Sequence, residues 1–345
     1  MTEVAELVRD FRFLPEGIDS AQKSISFIRT TRAELAEQAF LDPRWRPASG
    51  ERSQAPIATV IDATASQPGR PRLNFIWHTS FCCSTLLARA IDRPGCNLSL
   101  REPQILVAVA DAVRARAVTD GRLPEVLPAA VLRLLARPAE PGSQITVKPS
   151  NFANILVREA ARSTDGNALF LYSSLPSFLT SIAKGGVRLR KFARRLFGTL
   201  VGDLGQRLPW SSTELMHMTD LEIAALVWHM QIAEFQRGWA AYGGGRTASL
   251  DCEAFLAAPT ATLAAIDAFF GLDLGGDHIR EVGGGPLFRQ DSKNPARDFS
   301  AEDRAREARA VSEQLGADLD QIVSWSYQAC PATPRGAPMA NALVA

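Results

Sequence analysis

Residues 73–77 (LNFIW) pass directly into HTSFCCST and then into LLARAI. The first piece is apolar and β-prone, the second is made of hydroxyls and thiols, and the third places Leu86, Leu87 and Ile91 at the spacing of one helix face. Ser84-Thr85 is a suitable helix opening. The pattern predicts a buried strand, a tight loop and a helix. A loop wrapped onto a helix start presents unpaired backbone N–H groups and the positive end of the helix dipole, which suits a phosphate or sulfate group. An ordinary strand–helix turn of an α/β domain has the same appearance, and Ser84 and Thr85 serve equally well as capping residues.

More strands follow at intervals. Residues 145–147 (ITV) end in Lys148-Pro149-Ser150-Asn151, residues 168–172 read ALFLY, and residues 247–250 read TASL. A short extended segment at 97–100 runs into Arg101-Glu102-Pro103, where the proline disfavours helix at Glu102. Helices are expected over 105–117, 128–136, 152–161, 221–239, 259–270 and 301–325. The one at 259–270 has Pro259 at its start and Gly271 just past its end. Strands alternating with helices imply a parallel sheet covered on both faces. Ligands of such sheets bind at the carboxyl ends of the strands, where the loops after 77, 147, 172 and 250 would meet.

The chain has 345 residues, enough for one large α/β domain. Residues 1–72 are expected as a helical and irregular extension packed on that domain, 73–330 as the domain itself, and 331–345 (PATPRGAPMANALVA) as a disordered tail. The long segments 43–72 and 112–144 offer a lid or a homodimer surface. A formal net charge of +1 argues against a dedicated nucleic-acid binder. No apolar run approaches the length of a membrane span, and the N-terminus lacks a signal-peptide core, so a cytoplasmic protein is expected. Five scattered cysteines form no C-x-x-C pair, and four histidines fall at no zinc-binding spacing. Packed, reduced thiols are expected at Cys82-Cys83 ahead of a strained vicinal disulfide. Residues 184–195 carry Lys184, Arg188, Arg190, Lys191, Arg194 and Arg195 with no acid, and Leu189, Phe192 and Leu196 form an apolar stripe. This basic helix suits a solvated face, an anionic ligand or an acidic membrane surface.

The order of these pieces resembles the sulfotransferase family, P-loop-type enzymes that use 3′-phosphoadenosine 5′-phosphosulfate as sulfuryl donor. HTSFCCSTLLARAI resembles the family's 5′-phosphosulfate loop, and LREPQIL lies where related enzymes often carry Glu-Pro. ALFLYSSLPSFLTSIAK resembles the strand and turn that hold the donor's 3′-phosphate. SLDCEAFLAAPTATLAAIDAFFGL resembles a later signature, with Glu253, Pro259, Leu263, Ile266, Phe269 and Gly271 in register. The resemblance spans roughly residues 73–330. It implies a three-layer, P-loop NTPase-like α/β fold with a central parallel sheet flanked by helices. It implies a donor site at Thr79, Ser80, Phe81, Cys82, Cys83, Ser84 and Thr85, with Ser173, Ser174 and Ser181 toward the 3′-phosphate. The acceptor would be a small-molecule hydroxyl, and the chemistry needs no metal.

The chain departs from that pattern. Phe81 and Cys83 stand about where many members have a Lys or Arg and a Gly, and Ser173 or Ser174 replaces an Arg. A serine offers a hydrogen bond without a charge or a bidentate fork. Another cation must compensate, and the candidates are Arg188, Arg190 and Lys191 on the basic helix and Arg289 and Lys293 in LFRQDSK. The loop also lacks the G-x-x-x-x-G-K-[ST] of nucleoside triphosphatases, which disfavours ATP or GTP hydrolysis.

Sulfuryl transfer needs in-line positioning, charge stabilisation on the leaving phosphate and a base for the acceptor proton. Glu102 is the first choice of base and His78 the second. Lys148 is placed to stabilise the bridging oxygen or the sulfuryl group. Each has a plain alternative: a salt-bridged glutamate, a histidine bonded to loop backbone, an exposed strand-end cation. Asn151 and Asn154 orient a ligand or cap a helix. The alternative function is a divergent, non-catalytic protein of the same fold that binds a nucleotide or anion, or serves as an assembly partner.

Overall fold

The computed structural model of the chain describes residues 3–115, 123–203, 208–291, 294–298, 301–336 and 338–344. Eight strands frame the domain: β1 (Phe13–Asp19), β2 (Ser24–Arg29), β3 (Arg52–Pro56), β4 (Asn74–His78), β5 (Asn97–Arg101), β6 (Gln144–Lys148), β7 (Ala168–Tyr172) and β8 (Thr247–Asp251). A short hairpin of β9 (Gln290–Asp291) and β10 (Asn294–Asp298) follows. Five of these strands form an all-parallel sheet in the order β5-β6-β4-β7-β8. β4, β5 and β7 are buried along their whole length, as expected for strands covered on both faces.

Successive side chains of these strands enter different cores. Phe75, Trp77, Val147 and Phe170 join one, while Ile76, Leu169, Leu171 and Leu250 join the other. Helices Gln104–Ala115, Val157–Ser163, Leu175–Lys184 and Asp220–Tyr242 cover the first face. Helices Ser84–Ala90, Cys252–Ala257, Pro259–Phe270 and Gly276–Gly283 cover the second. The molecule is therefore an α/β protein with a central parallel sheet flanked by helices. β4 occupies the centre, with β5 and β6 on one flank and β7 and β8 on the other. From β4 the chain runs to the edge strand β5, returns to β6 beside β4, and then crosses to β7 and β8 on the other side, so the direction reverses around β4 and the crevice of an open α/β sheet lies at its carboxyl end.

Three segments differ from the expectations above. Residues 1–72 hold a three-stranded antiparallel sheet, in the order β1-β2-β3, as well as short helices. Its strands carry little alternation: β1 contains Pro15 and Gly17, between which the register shifts, and β3 reads RSQAP. The basic stretch 184–195 is broken at Gly185 and Gly186, the latter at φ 58, into helices Leu175–Lys184 and Gly186–Asp203. The segment expected as a disordered tail runs along β8 instead. Ser249 N–H donates to Asn341 O (3.0 Å), Leu343 N–H donates to Ser249 O (2.8 Å), and Met339 is buried. Backbone pairing to an open sheet edge gives order to a sequence of small residues and prolines, and it covers that edge. No helix among the described residues is long and apolar enough to cross a membrane.

Candidate functional site

The loop after β4 bends where ordinary residues seldom do. Ser80, Phe81 and Cys83 have φ values of 71, 54 and 59. A non-glycine residue held in such a region costs roughly 1–3 kcal/mol and persists only where its surroundings fix it. Here a buried network fixes it. Thr79 N–H donates to Leu171 O (3.2 Å), and Gln231 Nε2 donates to Thr79 O (3.1 Å). Asn151 Nδ2 donates to His78 O and to Gln231 Oε1, both at 2.6 Å, and Ser80 Oγ donates to Asn151 Oδ1 at 2.6 Å. Turns of this kind gather backbone N–H groups into an anion-binding concavity. The helix Ser84–Ala90 begins directly after it, with Cys83 at its N-cap and no side-chain cap bond.

Beside the loop, the ends of β4, β5 and β6 bring His78, Glu102 and Lys148 together. Lys148 Nζ donates to Glu102 Oε1 at 2.5 Å and stands 3.5 Å from His78 Nε2. The His78 Nε2–Glu102 Oε1 distance is 4.0 Å. Glu102 has φ 55 and turns at the edge of the cleft, its side chain 23% exposed, while Lys148 is 1% exposed behind it. The plain alternative for Lys148, an exposed strand-end cation, is thereby excluded: β6 is interior to the sheet and its terminal lysine is covered. His78 Nδ1 accepts the Ser80 N–H (3.2 Å), so Nε2 carries the proton and donates to Pro149 O (2.9 Å). Both ring nitrogens are thus engaged in holding the loop.

His78 and Glu102 open onto a cleft of about 1080 Å³. His78, Ser80, Phe81, Ser84, Thr85 and Glu102 line one side; Arg188, Leu189, Phe192 and Arg195 of helix Gly186–Asp203 line another. A third wall comes from the segment 38–45 of the N-terminal extension, and Gln104, Val107 and residues 150–152 complete the lining. The segment 38–45 is anchored by Arg101, whose buried guanidinium donates to Leu35 O, Ala36 O and Gln38 O at 2.6–2.7 Å, and by backbone bonds from Leu41 to Arg101 and Gln104. A cation on the last carbonyls of helix Arg32–Glu37 is favoured by the helix dipole. Burial brings the Arg101 pKa down to about 10, and Asp92 beside it opposes that shift.

The structure separates the residues singled out from the sequence. Ser80, Phe81, Ser84, Thr85, Glu102, His78 and Arg188 share the cleft. Thr79 and Cys82 are fully buried beneath the loop, and burial pushes the Cys82 thiol up to about 11. Cys83 meets Arg304, whose Nη1 is 3.0 Å from its Sγ while Nη2 donates to Glu253 Oε1 at 2.5 Å. All five cysteines are free. Ser173 is fully buried and its N–H donates to Thr79 Oγ1 (3.4 Å). Ser174 caps its helix by accepting the Ser177 N–H, and Ser181 Oγ donates to Ser177 O (3.0 Å). Arg289 is exposed in the turn Pro286–Arg289 and does not line the cleft. Lys293 lies outside the described residues.

Three participants escaped the sequence reading: Arg195 as a cleft residue, Arg304 at the loop, and the 38–45 wall. Arg195 carried a signal, since it stands seven residues after Arg188 on one helix face. Arg304 carried none, being 221 positions from Cys83. Among the described residues, no group of three or more His, Cys, Asp or Glu side chains is arranged to hold a metal ion. No protein-family model matches the chain, and no curated protein matches it significantly.

Proposed function

We propose that the chain catalyses sulfuryl transfer from 3′-phosphoadenosine 5′-phosphosulfate to a hydroxyl of a small-molecule acceptor, on a P-loop-type α/β fold. One juxtaposition carries the reading. The left-handed loop after β4 and Glu102 face the same cleft, at the carboxyl ends of the central strands, with Lys148 buried behind Glu102 and bonded to it. In this reading the N–H groups of the loop and helix start, with the Ser84 and Thr85 hydroxyls, hold the donor's 5′-phosphosulfate. Glu102 removes the acceptor proton as the acceptor oxygen bonds to sulfur. The bond from sulfur to the 5′-phosphate oxygen breaks, and 3′,5′-adenosine bisphosphate leaves. As Glu102 takes the proton its hold on Lys148 weakens, and the ammonium is available for charge developing on the leaving oxygen. His78 acts through the loop as a positioning residue.

A second reading, a divergent member that binds an anion without catalysis, is favoured by Ser174 and Ser181. Both spend their hydroxyls on their own helix, and neither supplies charge to a 3′-phosphate. Calorimetric titration with 3′,5′-adenosine bisphosphate, with ATP as control, separates the two readings. Micromolar binding of the bisphosphate, weakened in Thr85→Ala, followed by turnover with the sulfated donor, supports the transferase. Absence of bisphosphate binding overturns it.

A further inference from the structure

Helix Gly186–Asp203 turns one face to the cleft, through Arg188, Leu189, Phe192 and Arg195. The two arginines stand about 10 Å apart along the axis, at 1.5 Å per residue, with Phe192 between them. The Phe192 ring meets both Phe81 and Phe152 edge-on, each at 5.9 Å between centroids. An aromatic wall therefore runs from the loop to the helix, bracketed by two guanidiniums.

The charges around this wall do not balance. Asp42 is paired with Arg44, and Glu102 with Lys148. Arg194, on the same helix, is paired with Asp220. Among the described residues, Arg188 and Arg195 have no carboxylate within 4.0 Å. The Arg195 guanidinium lies over the Phe152 ring, 5.1 Å from its centroid. Stacking holds the planar group at the wall and leaves its edge N–H groups for a ligand. Ser173, Ser174 and Ser181, where the donor's 3′-phosphate was expected, do not line this cleft, whereas Glu102 does.

We propose that the acceptor is an anionic molecule: an aromatic or apolar body bearing a carboxylate or phosphate-type oxyanion, bound by Arg188 and Arg195 with its hydroxyl toward Glu102. This inference rests on the sulfuryl-transfer reading of the same cleft. It moves Arg188 from the donor, where the sequence suggested a compensating cation, to the acceptor.

The test is calorimetry on the full chain with three probes that share one ring: 4-hydroxyphenylacetate, 4-hydroxybenzylphosphonate and the neutral 4-hydroxyphenylacetamide. At least one anion is expected to bind about tenfold or more tightly than the amide, as a charge-assisted bidentate contact provides. The stronger of the two anions tells carboxylate from phosphate recognition. Arg188→Gln/Arg195→Gln closes the gap while affinity for 3′,5′-adenosine bisphosphate holds. Both side chains are exposed, and circular dichroism checks that the double variant keeps the fold. Equal affinity for anions and amide overturns the proposal, as does no binding of any probe. A fall in bisphosphate affinity in the double variant also overturns it, because it puts the guanidiniums on the donor. Failure of the wild type to bind bisphosphate removes the transferase reading instead, and the anion preference is read independently of it.

Discussion

Acid should loosen this protein through one buried histidine. His229 lies on helix Asp220–Tyr242, 3% exposed, with Nε2 3.1 Å from Ser326 Oγ on the last helix, Ala301–Ala329. The rings of Trp228 and Tyr327 pack against it at nearly right angles, with centroids 5.1 and 5.0 Å away. Arg335 stacks on the Tyr327 ring. Burial lowers the His229 pKa from 6.5 to about 4. The folded form therefore stays neutral as pH falls through 6.5, while the unfolded chain binds a proton. Stability is lost between about pH 6.5 and pH 4, and the loss grows no further below that. At about 1.4 kcal/mol per pH unit the full effect is about 3 kcal/mol, of which about 2 is lost by pH 5.

Urea unfolding followed by tryptophan fluorescence at pH 7 and pH 5, on wild type and His229→Gln, measures this. Carboxylates such as Asp92 and Glu234 titrate in both chains and cancel in the comparison. The wild type should lose about 2 kcal/mol more than the variant over that interval. An equal loss in both would refute the argument that neutral burial of this ring couples stability to pH. The same contact has a functional side: the last helix carries Arg304 to Cys83, so its loosening in acid should reach the loop.

Three more outcomes are expected. On the proposed function, Glu102→Gln should lower the rate of sulfuryl transfer by roughly 10²–10⁴-fold with bisphosphate affinity unchanged, and a loss under tenfold in a labelled-sulfate assay would remove it as the base. Arg101→Met takes the donor from three carbonyls and a partner from Asp92. It should cost about 3–5 kcal/mol in urea unfolding and speed proteolysis within residues 38–45; an unchanged midpoint counts against the anchor. Gly166→Ala would drive a Cβ into the Leu73 carbonyl just before β7, where backbone cannot yield as a side chain does. A loss of about 3 kcal/mol is expected, and a thermal midpoint equal to wild type would show that the approach relaxes freely.

How much of this was legible depends on where each element's stabilisation resides. ALFLY and LNFIW are buried on both faces, so their apolar runs announce strands, and β7 spans 168–172 as read. Pro259 and Gly271 mark the helix Pro259–Phe270, whose C-cap is left-handed at φ 65. β3 and the segment at 339–343 are ordered mainly through backbone hydrogen bonds to strands already in place, and backbone pairing leaves no trace in residue type. The cleft divides in the same way. Glu102 and His78 were visible because they close strands, whereas the 38–45 wall depends on Arg101 reaching three carbonyls more than sixty positions away.

The loop after β4 makes a left-handed turn without the glycines that usually make one. There is no glycine between Gly69 and Gly95, yet Ser80, Phe81 and Cys83 adopt left-handed φ values that glycine reaches without strain. Each of the three side chains has a task that glycine could not perform. Ser80 Oγ ties the loop to Asn151, the Phe81 ring extends the aromatic wall to Phe178 and Phe192, and Cys83 Sγ meets Arg304. Glycine would relieve the torsional cost and release all three contacts. The chain thus exchanges an easily formed turn for one that is rigid and lined with side chains. A rigid turn loses less conformational entropy when an anion binds, which is the benefit expected of a preorganised site.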